Sequence, residues 1–176
     1  MKIEMNTDGG CIGNGKNPNA PGGLGVAIYA DGQLIRQHSR QLFEKPNTNQ
    51  KSELHAAIDG LTIINEAIKP EYFNNDFIQH DVILYSDSTY VINGITDWIK
   101  MWKRNGWVNS KKEPVANKEL WELLDYYVTL LESQNICIKW TKVKGHSGNA
   151  GNELVDQLAK GAMNGQEVYD VFDYNS

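Results

Sequence analysis

The sequence predicts an α/β fold, a five-stranded mixed sheet flanked by helices, and three observations carry that reading. Residues 2 to 8 alternate in the two-residue rhythm of a half-buried strand, residues 52 to 68 repeat apolar side chains at helical spacing, and Val82-Ile83-Leu84-Tyr85 is a short apolar run of the buried-strand kind. Extended along the chain, the order is βββ-α-β-α-α-α-β-α, which places helices against a mixed sheet. At 176 residues the chain suits one domain with a substantial core. That domain is expected over residues 1–164, with 165–176 as a C-terminal tail.

The first strand sets Ile3, Met5 and Thr7 on one face and Lys2, Glu4 and Asn6 on the other, and delivers Asp8 at its carboxyl end. A loop rich in Gly, Asn and Pro follows to Gly25. Val26 to Tyr29, an Asp31-Gly32 turn signal and Leu34 to Ser39 then predict a hairpin, so the opening is an antiparallel meander. Leu54, Ala57, Ile58, Leu61, Ile64 and Ile68 define a helix with Thr48 or Asn49 as N-cap, Glu53 in its first turn and Pro70 as its stop.

After the apolar strand at 82–85 comes Ser86-Asp87-Ser88, again an acid at a strand's carboxyl end. Residues 89 to 104 read as two short helices separated near Gly94, and Pro114 to Ser133 as a longer helix carrying Leu120, Leu123, Leu124, Tyr127, Leu130 and Leu131. Ile136 to Trp140 is a strand, Lys144 to Asn149 a loop, and Asn152 to Met163 a helix packing through Leu154, Val155, Leu158 and Ala162. The tail mixes Glu167, Asp170 and Asp173 with Tyr169, Phe172 and Tyr174. A frayed end is the default there, a packing strap or a protein partner's docking peptide the alternatives.

Apolar content of 40% and charged content of 22% exclude disordered and fibrous classes. No stretch reaches the roughly 20 apolar residues of a membrane span, and the start of the sequence lacks the pattern of a secretory leader, so no membrane association and a cytoplasmic location are expected. Cys11 and Cys137 form no CxxC or Cys/His pattern and read as reduced thiols rather than zinc ligands. Net charge is -5, which by itself argues against a nucleic-acid partner. Yet Lys100, Lys103, Arg104, Lys111 and Lys112 give the stretch from Trp98 to Lys112 a charge of +5 with no acid, and leave -10 for the remainder. Trp98, Trp102 and Trp107 interleave with these cations, a combination suited to phosphate attraction and stacking, although two tryptophans four residues apart on a helix also serve local packing.

Asp8 and Asp87 occupy strand ends, where ligands bind in such sheets, and Glu53 and Asp156 would join them from helices. Convergence of four carboxylates makes a site for hard divalent cations, which prefer oxygen ligands and commonly bridge carboxylates to phosphates. Taken singly, each acid is as readily a helix-end or solvated charge.

The motifs in register make the match specific. Thr7-Asp8-Gly9-Gly10-Cys11-Ile12-Gly13-Asn14, Thr48-Asn49-Gln50-Lys51-Ser52-Glu53-Leu54, Tyr85-Ser86-Asp87-Ser88, Lys144-Gly145-His146-Ser147-Gly148 and Asn152-Glu153-Leu154-Val155-Asp156 together resemble type 1 ribonuclease H, in order from Lys2 to about Met163. The run from Gly94 to Trp107 is similar to the basic handle of its bacterial members. The resemblance implies a ribonuclease H-like fold and hydrolysis of the RNA strand of RNA/DNA hybrids to 5′-phosphate and 3′-hydroxyl ends. It further implies two Mg²⁺ ions, with Mn²⁺ as an alternative, on Asp8, Glu53, Asp87 and Asp156. His146 would assist proton transfer and product release. Glu153, about one turn before Asp156, reads either as a further acid near a metal or as a plain helix charge. Gly9, Gly10, Cys11, Asn14, Asn49 and Gln50 would contact the hybrid where its 2′-hydroxyls distinguish RNA. Trp98, Lys100, Trp102, Lys103, Arg104 and Trp107 would hold it on the handle.

Two departures touch substrate contacts only: the loop Lys16 to Pro21 is longer than the family's compact turn, and Thr89 stands where bacterial members commonly carry glutamine. A monomer is expected. The rival readings are a nuclease or strand-transfer enzyme of the same fold acting on other duplexes, and a binding module without catalysis.

Overall fold

The N-terminal meander forms from β1 (Ile3–Cys11), β2 (Gly22–Ala30) and β3 (Gln33–Leu42), each antiparallel to the next. Asp31 and Gly32 join β2 to β3 with positive φ at both positions, 49° and 83°, the two-residue turn whose twist matches a hairpin. The computed structural model describes residues 1–67, 79–144 and 149–172.

Helix α1 (Asn49–Ala67) starts at Thr48, whose Oγ1 accepts the Lys51 amide at 3.1 Å, so Thr48 rather than Asn49 is the cap. The expected stop at Pro70 lies outside the described residues. Strands β4 (His80–Ser86) and β5 (Ile136–Lys142) add in parallel, β4 beside β1 and β5 beside β4. The last helix, α5 (Ala150–Met163), begins two residues before its expected start because the Asn149 side chain caps it, accepting the Asn152 amide at 3.0 Å.

The sheet has six strands, not five, in the order β5-β4-β1-β2-β3-β6. The additional strand, β6 (Tyr169–Val171), lies within the tail and pairs antiparallel with β3, His38 opposite Tyr169 and Arg36 opposite Val171. Its three residues are too few and too exposed to show an alternation. What orders them is β3's open edge: the Ser39 amide donates to the Val168 carbonyl, Ser39 Oγ accepts the Val168 amide, and the Gln41 amide donates to Glu167, all at 2.8 to 2.9 Å.

Between β4 and β5 the chain forms α2 (Thr89–Asn93), a π-helical turn (Gly94–Trp98), α3 (Ile99–Asn105) and α4 (Lys118–Ser133). The expected break near Gly94 is thus a widened turn within one helical run. A Cβ on Gly94 would lie 2.0 Å from the Trp121 ring, so only glycine lets α4 approach this closely. Helix α4 starts at Lys118 instead of Pro114, since Asn117 adopts a left-handed conformation and Pro114 bridges to Val108.

Ile3, Met5, Val26, Ile28, Leu54, Leu61, Ile64, Val82, Leu84, Trp121, Leu124 and Leu131 form the core between the sheet, α1 and α4. Consecutive residues Gly9 and Gly10 approach α1 and α5 respectively, so these helices cover opposite faces of the sheet. Among the described residues no helix is long and apolar enough to cross a membrane.

Candidate active site

The parallel ladder between β1 and β4 ends at Asn6 opposite Tyr85, two residues before Asp8 and two before Asp87. Beyond that last pair the two strands no longer bond to each other: Asp87 follows the end of β4, but Asp8 lies inside β1 rather than at its carboxyl end, because β1 continues to Cys11 in its pairing with β2. Asp87 is fixed from behind. Buried Ser86 accepts the Ser88 amide at 3.1 Å, and Ser88 in turn caps α2, accepting the Val91 amide at 3.2 Å.

Glu53 enters from α1 because β1 carries no side chain at Gly9. A Cβ there would fall 2.4 Å from the backbone of Ser52 and 2.6 Å from the Glu53 amide nitrogen, so glycine sets the distance at which the helix crosses the strand. Glu53 is the fifth residue of α1, one beyond the first turn where the sequence placed it. It therefore gains little from the helix N-terminus and is held by the crossing itself.

Asp8, Glu53 and Asp87 each offer an oxygen within 4.8 Å of the others. Burial, then the Asp87 charge, raises Asp8 from 3.8 to about 7, while its hydrogen bond with Glu53 pulls the other way. Glu53 is raised well above the ordinary carboxylate range, first by burial and then by Asp8. Without a cation the pair retains a proton near neutrality. Glu53 Oε2 is buried with no hydrogen-bond partner, an atom that costs free energy unless a ligand meets it. An all-oxygen donor set with such an orphaned atom fits a hard divalent cation.

Asp156 stands apart from that triad. It lies on α5 and lines a polar cleft with Asp87, Asn152, Glu153 and Gln157, near enough for its charge to help raise Asp8. Its Oδ2 meets Lys160 Nζ at 2.9 Å, one turn along α5. Lys160, raised by that hydrogen bond, escaped the sequence reading, although the four-residue spacing from Asp156 was visible. His146 lies outside the described residues.

A chain of hydrogen bonds ties the loop after β1 to the start of α1. The Cys11 amide donates to Asn49 Oδ1 at 2.9 Å, and the Asn49 amide donates to Asn14 Oδ1 at 2.9 Å. Each asparagine thus spends its carbonyl oxygen on the protein and keeps its exposed NH₂ as a donor. Asn14 has φ 46° and Gly13 φ 71°, the left-handed turn this linkage requires. Gln50 is exposed, Gly9 half-buried, and Gly10 buried beneath Met163.

On the helical protrusion, Trp102 is the hub of an aromatic stack, with ring centroids 6.0 Å from Trp98, 6.0 Å from Trp107 and 5.4 Å from Trp121. Trp121 and Asn117 both donate to the Tyr90 hydroxyl, at 3.0 and 3.1 Å. Trp102 and Trp107 pack against the core, whereas Trp98 is the exposed member. Lys103 is drawn to Asp125 at 3.1 Å. Lys100 and Arg104 are exposed and make no ion pair among the described residues, so the protrusion's available charge lies there.

Three carboxylates gathered where the ladder of two adjacent parallel strands stops and a helix crosses, on a mixed sheet opened by a meander, define a ribonuclease H-like nuclease. The family model described as RNase H matches residues 1–164, and the chain belongs to that family, in its type 1 bacterial class. A ribonuclease H of Legionella pneumophila (strain Lens) is 45% identical over 159 residues, covering 90% of this chain and 94% of that one. A ribonuclease HI of Haemophilus ducreyi is 39% identical over 169 residues, covering 96% and 95%. Among solved structures, LC9-RNase H1, a type 1 RNase H with the type 2 active-site motif, superposes with a TM-score of 0.74 at 26% identity, covering 98% of this chain and 77% of that one. The protein is an endoribonuclease of RNA/DNA hybrids, and its family's chemistry depends on metal.

Proposed function

We propose that the protein hydrolyses the RNA strand of a hybrid through divalent cations held by Asp8, Glu53, Asp87 and Asp156, leaving 5′-phosphate and 3′-hydroxyl ends. Glu53 carries the reading: a buried, unpartnered carboxylate oxygen beside two further acids has no structural use without a cation. Mg²⁺ suits these all-oxygen donors, and Mn²⁺ would substitute for it. Two such ions, when bound, activate water and offset charge on the leaving oxygen.

The chain's own residues supply the rest. Asp8 and Glu53 release the proton they retain near neutrality, and Asp87 lends its charge from the strand end. Asp156, which meets Lys160, would be the fourth residue to hold the ions. His146, by its place in the family's motif, assists proton transfer and product release. The NH₂ groups of Asn14, Asn49 and Gln50, with the backbone from Gly9 to Cys11, present donors to 2′-hydroxyls of the RNA. Lys100, Lys103 and Arg104 attract the phosphates while Trp98 offers a stacking face over Trp102 and Trp107. All these groups come from one chain, which suits a monomer.

The test is cleavage of end-labelled RNA/DNA, DNA/DNA and RNA/RNA duplexes with Mg²⁺ or with chelator. Cutting confined to the hybrid's RNA, with 5′-phosphate products and none in chelator, is the expected result. Binding without cutting would support a non-catalytic module, and cutting of the other duplexes would support a different nuclease of this fold.

A further inference from the structure

Helix α4 carries more apolar surface than the core uses. Trp121, Leu124 and Leu131 are buried and Val128 packs against them. A second row, Leu123, Tyr126 and Leu130, follows the same three-and-four spacing on an outer face. Leu123 is 41% and Tyr126 58% exposed, and Leu130 is half-buried without joining the core cluster. Tyr127 borders the row, its ring 5.3 Å from that of Tyr126 in an edge-on contact. Isolated exposed apolar residues are ordinary, but a contiguous stripe on one helix marks an interaction surface.

Charge decides the occupant. Glu119 continues the row at its N-terminal end, and Glu122 flanks it. Over its length α4 has Glu119, Glu122, Asp125 and Glu132 against Lys118 alone. Lys118 approaches Glu122 at 3.7 Å, while Glu119 makes no ion pair among the described residues. A second copy of this chain would set one acidic helix against another. Nucleic acid is repelled by the same charges.

We infer that the Leu123–Tyr126–Leu130 face of α4 docks a basic amphipathic helix of a partner protein. Leucine-like side chains of that helix would lie along the stripe, and its lysines or arginines would meet Glu119 and Glu122. No α4 residue belongs to the acidic triad or lines the cleft beside Asp87 and Asp156, so the enzyme would be recruited through residues its cleft does not use.

The experiment titrates the full-length protein by calorimetry with three 14-residue capped peptides. One is a Leu/Lys amphipathic helix, one a Leu/Glu helix with the same apolar face, and one a Lys/Ser peptide with charge but no apolar face. Expected is one-to-one binding of the Leu/Lys helix alone, weakened about tenfold or more when Leu123→Gln and Tyr126→Gln are combined. Pairing Glu119→Gln with Glu122→Gln should weaken it and flatten its salt dependence. Both double variants change exposed residues, and unchanged circular dichroism with wild-type hybrid cleavage verifies their folds. The inference is overturned by any of three results: equal binding of the Lys/Ser peptide, Leu/Lys binding that survives the Leu123/Tyr126 change, or no binding at all. It is equally overturned if sedimentation finds a dimer that this change dissolves.

Discussion

Replacing Asp8 by Asn should make the metal-free protein more stable at neutral pH while abolishing cleavage. Asp8 is raised from 3.8 to about 7, burial being the larger cause and Asp87 the next. An acid whose folded-state pKa lies above its unfolded value binds its proton more tightly when folded. Its contribution therefore favours the unfolded chain increasingly as pH rises from about 4 to about 7, and is constant above that. A rise of about 3 units corresponds to about 4 kcal/mol at pH 8, a ceiling, because Glu53 shares the titration with Asp8. The substituted carboxamide carries no such charge and keeps nearly the same shape. Urea unfolding in chelator at pH 4.5, 6 and 8 should show little difference at the lowest pH and a gain for the variant that widens to a few kcal/mol at the highest. Parallel pH profiles for the two proteins, or a variant less stable at pH 8, would refute the reasoning that burial, with repulsion added, works against the charged acid.

The same raised carboxyl groups predict that Mg²⁺ increases the unfolding temperature of the wild type more at pH 8 than at pH 5.5, since the cation must displace protons from Asp8 and Glu53. At a hundred times the dissociation constant the gain is about 2.7 kcal/mol, and Asp8→Asn should lose most of it in a thermal melt. Gly9→Ala drives a methyl group into the Ser52 backbone; a loss of about 1 to 3 kcal/mol in urea unfolding, with cleavage falling further than stability explains, is expected as Glu53 shifts. On the protrusion, Lys100→Ala and Arg104→Ala should each reduce the salt slope of hybrid binding by about one unit, and Lys103→Ala by less because Asp125 already holds that ammonium; fluorescence anisotropy across a salt series measures all three.

The parts of this molecule legible in its sequence are those where short-range chemistry and long-range packing agree. Asp87 follows the end of a strand whose apolar residues are buried in the core, as expected, whereas Asp8 lies inside β1, because that strand goes on pairing with β2 as far as Cys11. The hairpin at Asp31-Gly32 follows from its turn chemistry alone. Where the reading fell short, distant partners decide. Strand β6 has no pattern of its own and exists because β3 offers it an edge and Ser39 exchanges two hydrogen bonds with Val168. The turn at Gly94 widens because Trp121 packs against it from α4, and Lys103 turns to Asp125 from 22 residues away. Asp156 belongs to both kinds. Its motif announced it, but its side chain meets Lys160 on its own helix rather than the other acids.

Cleavage by this protein rests, in the function proposed above, on the acids acting together as a cation-dependent cutting site. Single-turnover cleavage of a labelled RNA/DNA hybrid, measured for the wild type and for Asp87→Asn over a Mg²⁺ titration, tests that most directly. Saturable Mg²⁺ dependence is expected in the wild type and background cleavage in the variant at every concentration, with hybrid binding retained. Cleavage that persists in chelator, or an Asp87→Asn protein that cuts at the wild-type rate, would contradict it.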